Sequence, residues 1–269
     1  MVFTSFVLSD IHLEHQTGRP TQFLPPANHD VHNLIIAGDL GNPFTNSVIQ
    51  YIEEAKKRFK RVICVRGNHD VYNSHSLYEV DKQFRAFGID FLQNETIVID
   101  DVEFIGTTLW SNIPAQYYKI VNQKFGYGWE ITQFLHRQDR DFLEDMLKRP
   151  MTNSSRIVLT HYPVSLEFMT DSWKNSPRSR NQIEGTFHRY YNTTLDHLFE
   201  KADVFISGHS HAFINTHLTR SDGKKTLLLS NPQGYPDEKT GFDSKRYIEI
   251  NPERDPKVVM KNLTDLSWR

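Results

Sequence analysis

The chain has 269 residues, with 31 Lys and Arg against 33 Asp and Glu and a formal charge of −2. Such a balance excludes a protein whose main task is to grip extended nucleic acid through a basic surface, though not one that takes a nucleotide or a short oligonucleotide. The single cysteine, Cys64, excludes an intrachain disulfide framework, and no run approaches the roughly 20 apolar residues of a membrane helix. The opening MVFTSFVLSDIH has no basic region and no long apolar stretch, so no secretion signal is read there. The expected setting is cytoplasmic and reducing.

In chain order, FTSFVL (3–8) reads as a buried strand and is followed by SDIH. HNLIIA (32–37) reads the same way and is followed by GDLGN. NSVIQYIEEAKKRF (46–59) has apolar residues at helical spacing, with Asn46 or Ser47 as the expected cap. RVICV (61–65) is a third strand, followed by RGNHD; Cys64 within it is expected to be a small core residue. SLYEVDKQFRAF (76–87) predicts a helix that stops at Gly88. ETIVIDDVEFIGTTLW (95–110) predicts two alternating strands around an Asp100–Asp101 turn. EITQFLHRQDRDFLEDMLKR (130–149) is a long amphipathic helix that stops at Pro150. SRIVLT (155–160) is a strand followed by HYP. Residues 165–192 are polar, aromatic and basic without a clean period, which reads as a surface loop, or as a lid because it follows LTHYP. ADVFIS (202–207) is a strand followed by GHSH, residues 211–232 form a hairpin around Asp222–Gly223, and KRYIEI (245–250) is a last strand. The order predicts one α/β domain over 1–269, with two β-rich layers and helices outside.

Five strands thus end on Asp, Asn or His, and ligands of open α/β sheets bind beyond the carboxyl ends of strands. The residues so placed are Asp10, His12, Asp39, Asn68, His69, Asp70, His161, His209 and His211. Taken singly, Asp10, Asp39 and Asn68 also read as caps or turn residues, His161 as a loop histidine, and His209 and His211 as flanks of a turn. Taken together, carboxylates and neutral imidazoles suit borderline divalent metals, and no thiolate is at hand for a structural zinc site. So many candidate ligands exceed one tetrahedral ion and suit two ions about 3.5–4 Å apart that share a carboxylate.

The blocks SDIH, AGDLGN, RGNHD, THYP and SGHSH, in that order and each after an apolar strand, resemble the calcineurin-like metallophosphoesterase superfamily. SDIHLE, GTTLWSN and NPQGYP (231–236) are similar to patterns in its small, single-domain bacterial and phage-type members. The resemblance implies a four-layer αββα sandwich and two divalent ions, manganese first, with iron, zinc, cobalt or nickel as alternatives. It implies that Asp10, His12 and His211 hold one ion, that Asn68, His161 and His209 hold the other, and that Asp39 bridges them. Attack by hydroxide held between the ions would then cleave a phosphate ester. His69 would protonate the leaving group, with Asp70 orienting it. The expected substrate is a small or nucleotide-like phosphodiester or phosphomonoester. Asn68, and His188, Arg178, Arg180 and Arg189 from the segment 165–192, are expected to contact it, although arginines so placed are more often just a solvated face.

Two alternatives rank lower. A protein serine/threonine phosphatase would carry G-D-x-V-D-R-G and G-N-H-E where this chain has GDLGNPF and GNHD. A non-catalytic scaffold would have lost ligands, and none is lost. His15, His29, His32, His136, His197 and His217 are expected at the surface or in packing, and His75 is left without a role.

Overall fold

The fold follows from strands that are apolar on both faces, as strands buried on both sides must be. A computed structural model describes residues 2–26, 30–72, 76–113, 115, 128–169 and 194–263. One six-stranded sheet contains β1 (Phe3–Leu8), β2 (Asn33–Ala37), β3 (Arg61–Val65), β4 (Asp90–Phe91), β11 (Arg246–Ile250) and β12 (Val258–Asn262), in the order β12-β11-β1-β2-β3-β4. The other contains β5 (Glu95–Ile99), β6 (Val102–Thr107), β7 (Ser155–Thr160), β8 (Val204–Ile206), β9 (Ile214–Thr219) and β10 (Lys225–Ser230), in the order β5-β6-β7-β8-β10-β9. In the first sheet β1 to β4 run parallel, and β11 and β12 add antiparallel strands. In the second, β6, β7, β8 and β10 run parallel between antiparallel β5 and β9.

The period of two divides each strand between two cores. Ile35 and Ala37 of β2 and Ile63 and Val65 of β3 face the other sheet, where Phe104, Ile157, Leu159 and Ile206 meet them. The alternate residues Leu34, Ile36, Val62 and Cys64 face α1 (Asn46–Arg58) and α2 (Leu77–Ala86) through Val48, Tyr51, Ile52, Val80 and Phe84. On the far side, Ile105, Val158 and Phe205 pack against Leu143 and Leu147 of α3 (Trp129–Lys148). Helices, sheet, sheet and helix make the four-layer αββα sandwich that the resemblance implies. No helix among the described residues is long and apolar enough to cross a membrane.

The helices end as their sequences dictate, with one correction. Ser76 and Glu79 form a reciprocal capping box on α2. The cap of α1 is Thr45, not Asn46 or Ser47: its side chain accepts from Val48 N, while Asn46 is already helical. Two strands escape a sequence reading. β4 has two residues, and β12 is a largely half-buried strand held to β11 in the register Ile250↔Val258.

The sheets meet at their carboxyl ends. His161, just after β7, donates from Nδ1 to the carbonyl of Ala37 at the end of β2, at 2.9 Å. The amide of Gly208, after β8, in turn donates to the His161 carbonyl at 3.0 Å. Loops from both sheets therefore share one end of the sandwich.

Phe104 lies fully buried between the sheets, edge-on to Phe3 at a 5.6 Å ring separation. Phe104→Ala should lower unfolding free energy by about 3–5 kcal/mol in denaturant titration, with the slope unchanged. A loss under about 1 kcal/mol would mean that this core does not hold the sheets together.

Candidate metal centre

The loops that follow the strands are bent in an unusual way. Asp10, His12, Asp39, His209 and His211 all have positive φ, between +48° and +64°. They are five of the nine non-glycine residues with positive φ among the described residues. Left-handed backbone costs about 1–3 kcal/mol at a non-glycine residue and persists only where the surroundings impose it. Here neighbouring loops impose it. Asp10 N donates to Gly38 O at 3.1 Å, His12 N to Asp39 O at 3.0 Å, and His209 N to Asp10 Oδ1 at 2.8 Å. Gly67 is needed for space. A Cβ there would stand 2.1 Å from Asp39 Oδ1, so any side chain would displace the carboxylate.

These bends bring together the seven residues expected to be ligands. Ligand atoms of Asp10, His12 and His211 lie within 4.8 Å of one another, and so do those of Asp39, His161 and His209. Asp39 Oδ2 stands between the groups, 3.8 Å from His12 Nε2 and 3.2 Å from His161 Nε2. Asn68 Oδ1 is 2.9 Å from His161 Nε2. All but His209 and His211 are buried.

Three rings are turned the same way. His12 Nδ1 bonds Glu14 Oε1 at 3.2 Å, His161 Nδ1 bonds Ala37 O at 2.9 Å, and His211 Nδ1 bonds Glu238 Oε2 at 2.5 Å. Donating Nδ1–H to an oxygen leaves Nε2 with its lone pair aimed inward, the arrangement that metal-binding histidines use. Inside, His12 Nε2 faces His211 Nε2 at 3.1 Å, a contact that needs a proton or a metal ion between or beside the two nitrogens. Asp10 Oδ2 is buried with no hydrogen-bond partner among the described residues. A buried carboxylate oxygen left so is costly without a cation. The donor set therefore fits divalent metal.

Charge balance agrees. Burial pushes the Asp10 carboxyl up, but its bond to His211 and the nearby imidazoles outweigh this and hold it near 2. Burial likewise opposes ionisation of Asp39, and His161 overcomes it, keeping the group well below the usual carboxylate range. Against their own burial, Asp39 lifts His161 to about 9, and Asp10 lifts His211 to about 9. Burial and the charge of His161 keep His209 well below the ordinary histidine range. A cluster that draws protons onto its imidazoles also draws metal ions, which displace those protons.

His69 stands beside this cluster. Its amide donates to Asp39 Oδ1 at 2.7 Å, and its ring lies edge-on to His12 at 4.4 Å. Asp70, expected to orient it, does something else. The Asp70 carboxylate is fully buried and accepts from the amides of Gly67 at 2.7 Å, Gly41 at 2.7 Å and Asp39 at 3.2 Å. Its side chain folds back under Gly67 and braces the loops after β2 and β3. Burial, then the charge of Asp39, push this carboxyl up to about 7 against the amides that favour ionisation. The carboxylate that meets the His69 ring is Glu14, with Oε1 3.1 Å from Nδ1. On the other side the Tyr235 hydroxyl is 3.1 Å from Nε2.

Sequence reasoning missed Glu14 although it stands in SDIHLE, two residues after His12. It gave Tyr235 no role of its own; the residue sits in the turn that NPQGYP forms. That turn is tied to the first loop: Gln233 N donates to Ser9 O at 3.0 Å and Gly234 N to Asp10 O at 2.9 Å. Asn68 Nδ2 donates to the Tyr72 hydroxyl at 2.8 Å, and the Tyr162 ring lies against His209, tilted by 34° at a ring separation of 4.0 Å. Tyr162 stands in the THYP block but, like Tyr72, was given no role there. His188, Arg178, Arg180 and Arg189 lie outside the described residues, as does 165–192 beyond Met169. His29 and His75 do too. The described start of that segment reaches the centre, for Ser210 Oγ donates to Phe168 O at 2.9 Å. His136 is a packing residue as expected, with Nδ1 2.5 Å from Trp110 O.

Comparison with known proteins agrees with this fold. Uncharacterized protein L509 of Acanthamoeba polyphaga mimivirus is 24% identical over 248 residues, 83% of this chain and 85% of that protein. Phosphopantetheinyl hydrolase (PptH) from Mycobacterium tuberculosis has a similar structure, with a TM-score of 0.61 at 16% identity over 88% of this chain and 93% of that one. A 5'-nucleotidase precursor from Thermus thermophilus aligns at a TM-score of 0.50 and 12% identity, over 97% of this chain but 54% of that one. At these identities the two structures establish the fold. The family model for calcineurin-like phosphoesterases matches residues 3–213, and the chain belongs to that family.

Proposed function

We propose that this metal-dependent phosphoesterase hydrolyses a small or nucleotide-like phosphodiester or phosphomonoester. In this reading Asp10, His12 and His211 hold one divalent ion, and Asn68, His161 and His209 hold the second. Asp39 lies between them and His69 is the general acid. The observation that carries it is the inward turn of His12, His161 and His211, each fixed through Nδ1 by an oxygen. Manganese is the ion expected to support activity, and the residues would accept iron, zinc, cobalt or nickel as well.

When bound, two such ions acidify water and draw off the negative charge of a phosphoryl group. The chain's own residues do the rest. Asp39 stands between the two halves, and Asn68, held by the Tyr72 hydroxyl, lies beside His161. Gly67 lets the Asp39 carboxylate reach the centre. His69 presents Nε2, beside the Tyr235 hydroxyl, to a departing oxygen. Glu14 accepts from its Nδ1, fixes the tautomer and balances the charge of the imidazolium. Because Glu14 also bonds His12, one carboxylate sets both the acid and a ligand. The near-balanced net charge supports a small substrate over an extended nucleic acid.

Chelation should abolish hydrolysis of bis-p-nitrophenyl phosphate, and manganese should restore it. Asp39→Ala should lose bound metal and turnover together, as read by elemental analysis and a chromogenic assay. Two ions retained in the variant would remove Asp39 from between them.

His69→Ala should keep its metal but lose about 10²–10⁴-fold in turnover on esters with poor leaving groups, and far less on p-nitrophenyl esters. Glu14→Gln should show the same leaving-group dependence with a loss of about 10–100-fold, and it should also bind metal more weakly because Glu14 orients His12. Equal losses on good and poor leaving groups would contradict the acid role.

A further inference from the structure

Glu14, His15 and His69 lie at the rim of the centre, and none of them is among the seven ligands proposed above. Their ligand atoms all fall within 4.8 Å of one another. Glu14 Oε1 is 3.1 Å from His69 Nδ1 and 3.7 Å from His15 Nε2. Around a tetrahedral zinc ion with bonds of about 2.0–2.2 Å, neighbouring donor atoms stand about 3.4 Å apart. The two separations bracket that value. Glu14 and His69 are already fixed by the bonds described above. The His15 side chain is 47% exposed, so it can swing the remaining fraction of an ångström, and a fourth position stays open to water.

We propose that Glu14, His15 and His69 form a third cation site, of the zinc type, whose filling inhibits the enzyme. Two imidazoles and one carboxylate form a donor set that zinc favours and that magnesium and calcium do not. Manganese binds such sites more weakly than zinc, so it can load the dinuclear centre while the rim stays free. An ion on the rim takes Nδ1 of His69 and the Glu14 carboxylate at once. It ties down the acid ring and removes the partner that orients both His69 and His12. The inhibition rests on the acid role proposed for His69; the binding does not.

The test titrates zinc into manganese-loaded enzyme, full chain, as wild type and as His15→Ala. Bound zinc and manganese are measured by equilibrium dialysis with elemental analysis. Turnover of an alkyl phosphate ester, whose poor leaving group needs the acid, is followed in parallel. Since His15 is outside the proposed ligands and acid, His15→Ala should keep the first two ions and the manganese-supported rate. The wild type should bind a third equivalent and lose activity as it does so. In His15→Ala both the third binding step and the half-inhibiting zinc concentration should rise at least about tenfold. Zinc that merely replaced manganese in the dinuclear centre would act equally on both proteins and would overturn the proposal. Saturation of the wild type at two ions would overturn it too, as would a third ion held equally well by the variant. If neither protein hydrolysed any ester, the proposed function would fail, and the dialysis comparison alone would still decide whether the rim site exists.

Discussion

Where the two sheets meet, Asp10 and Asp39 are buried at the carboxyl ends of their strands among inward-facing imidazoles. Two carboxylates removed from water beside each other are costly unless positive charge sits with them. The rest of the end of the sandwich serves that constraint. Asp70 braces the loops through three amides, Ala37 and Glu238 orient His161 and His211, and Glu14 orients His12. The left-handed turns at Asp10, His12, Asp39, His209 and His211 are stored strain, held by hydrogen bonds from loop to loop.

The glycines of the motifs serve the same constraint. At Gly67 a Cβ would lie 2.1 Å from Asp39 Oδ1, and at Gly208 it would lie 2.6 Å from Asp10 Oδ2. Both glycines keep room for a carboxylate that has to reach the centre. RGNHD and SGHSH are therefore each a strand end plus the space that another strand's ligand needs. That is why residues far apart in sequence converge on one site.

Much of this was legible in the sequence, because the strong signals are local. Apolar runs of five or six residues followed by Asp, Asn or His located β1, β2, β3 and β7, and the Asp222–Gly223 turn located the hairpin of β9 and β10. The seven candidate ligands were named from strand ends and from the resemblance, and they lie together in the structure. What was missed depends on tertiary contacts. Whether Asp70 or Glu14 faces His69 is decided by which way the chain folds back after Gly67, and adjacency in GNHD gives no hint of it. Tyr235 reaches His69 from 166 residues away. The cap of α1 fell on Thr45 because the chain turns there, with its amide bonded to Asn42 O at 3.0 Å. β12 is a strand only because β11 offers it an edge.

The central claim is that the inward-facing nitrogens and carboxylates hold two cations at once. Anomalous diffraction from a manganese-loaded crystal tests it most directly. Two peaks about 3.5–4 Å apart should flank the Asp39 carboxylate, one beside His12 and His211 and the other beside His161 and His209. A single peak, or two peaks away from Asp39, would contradict the account.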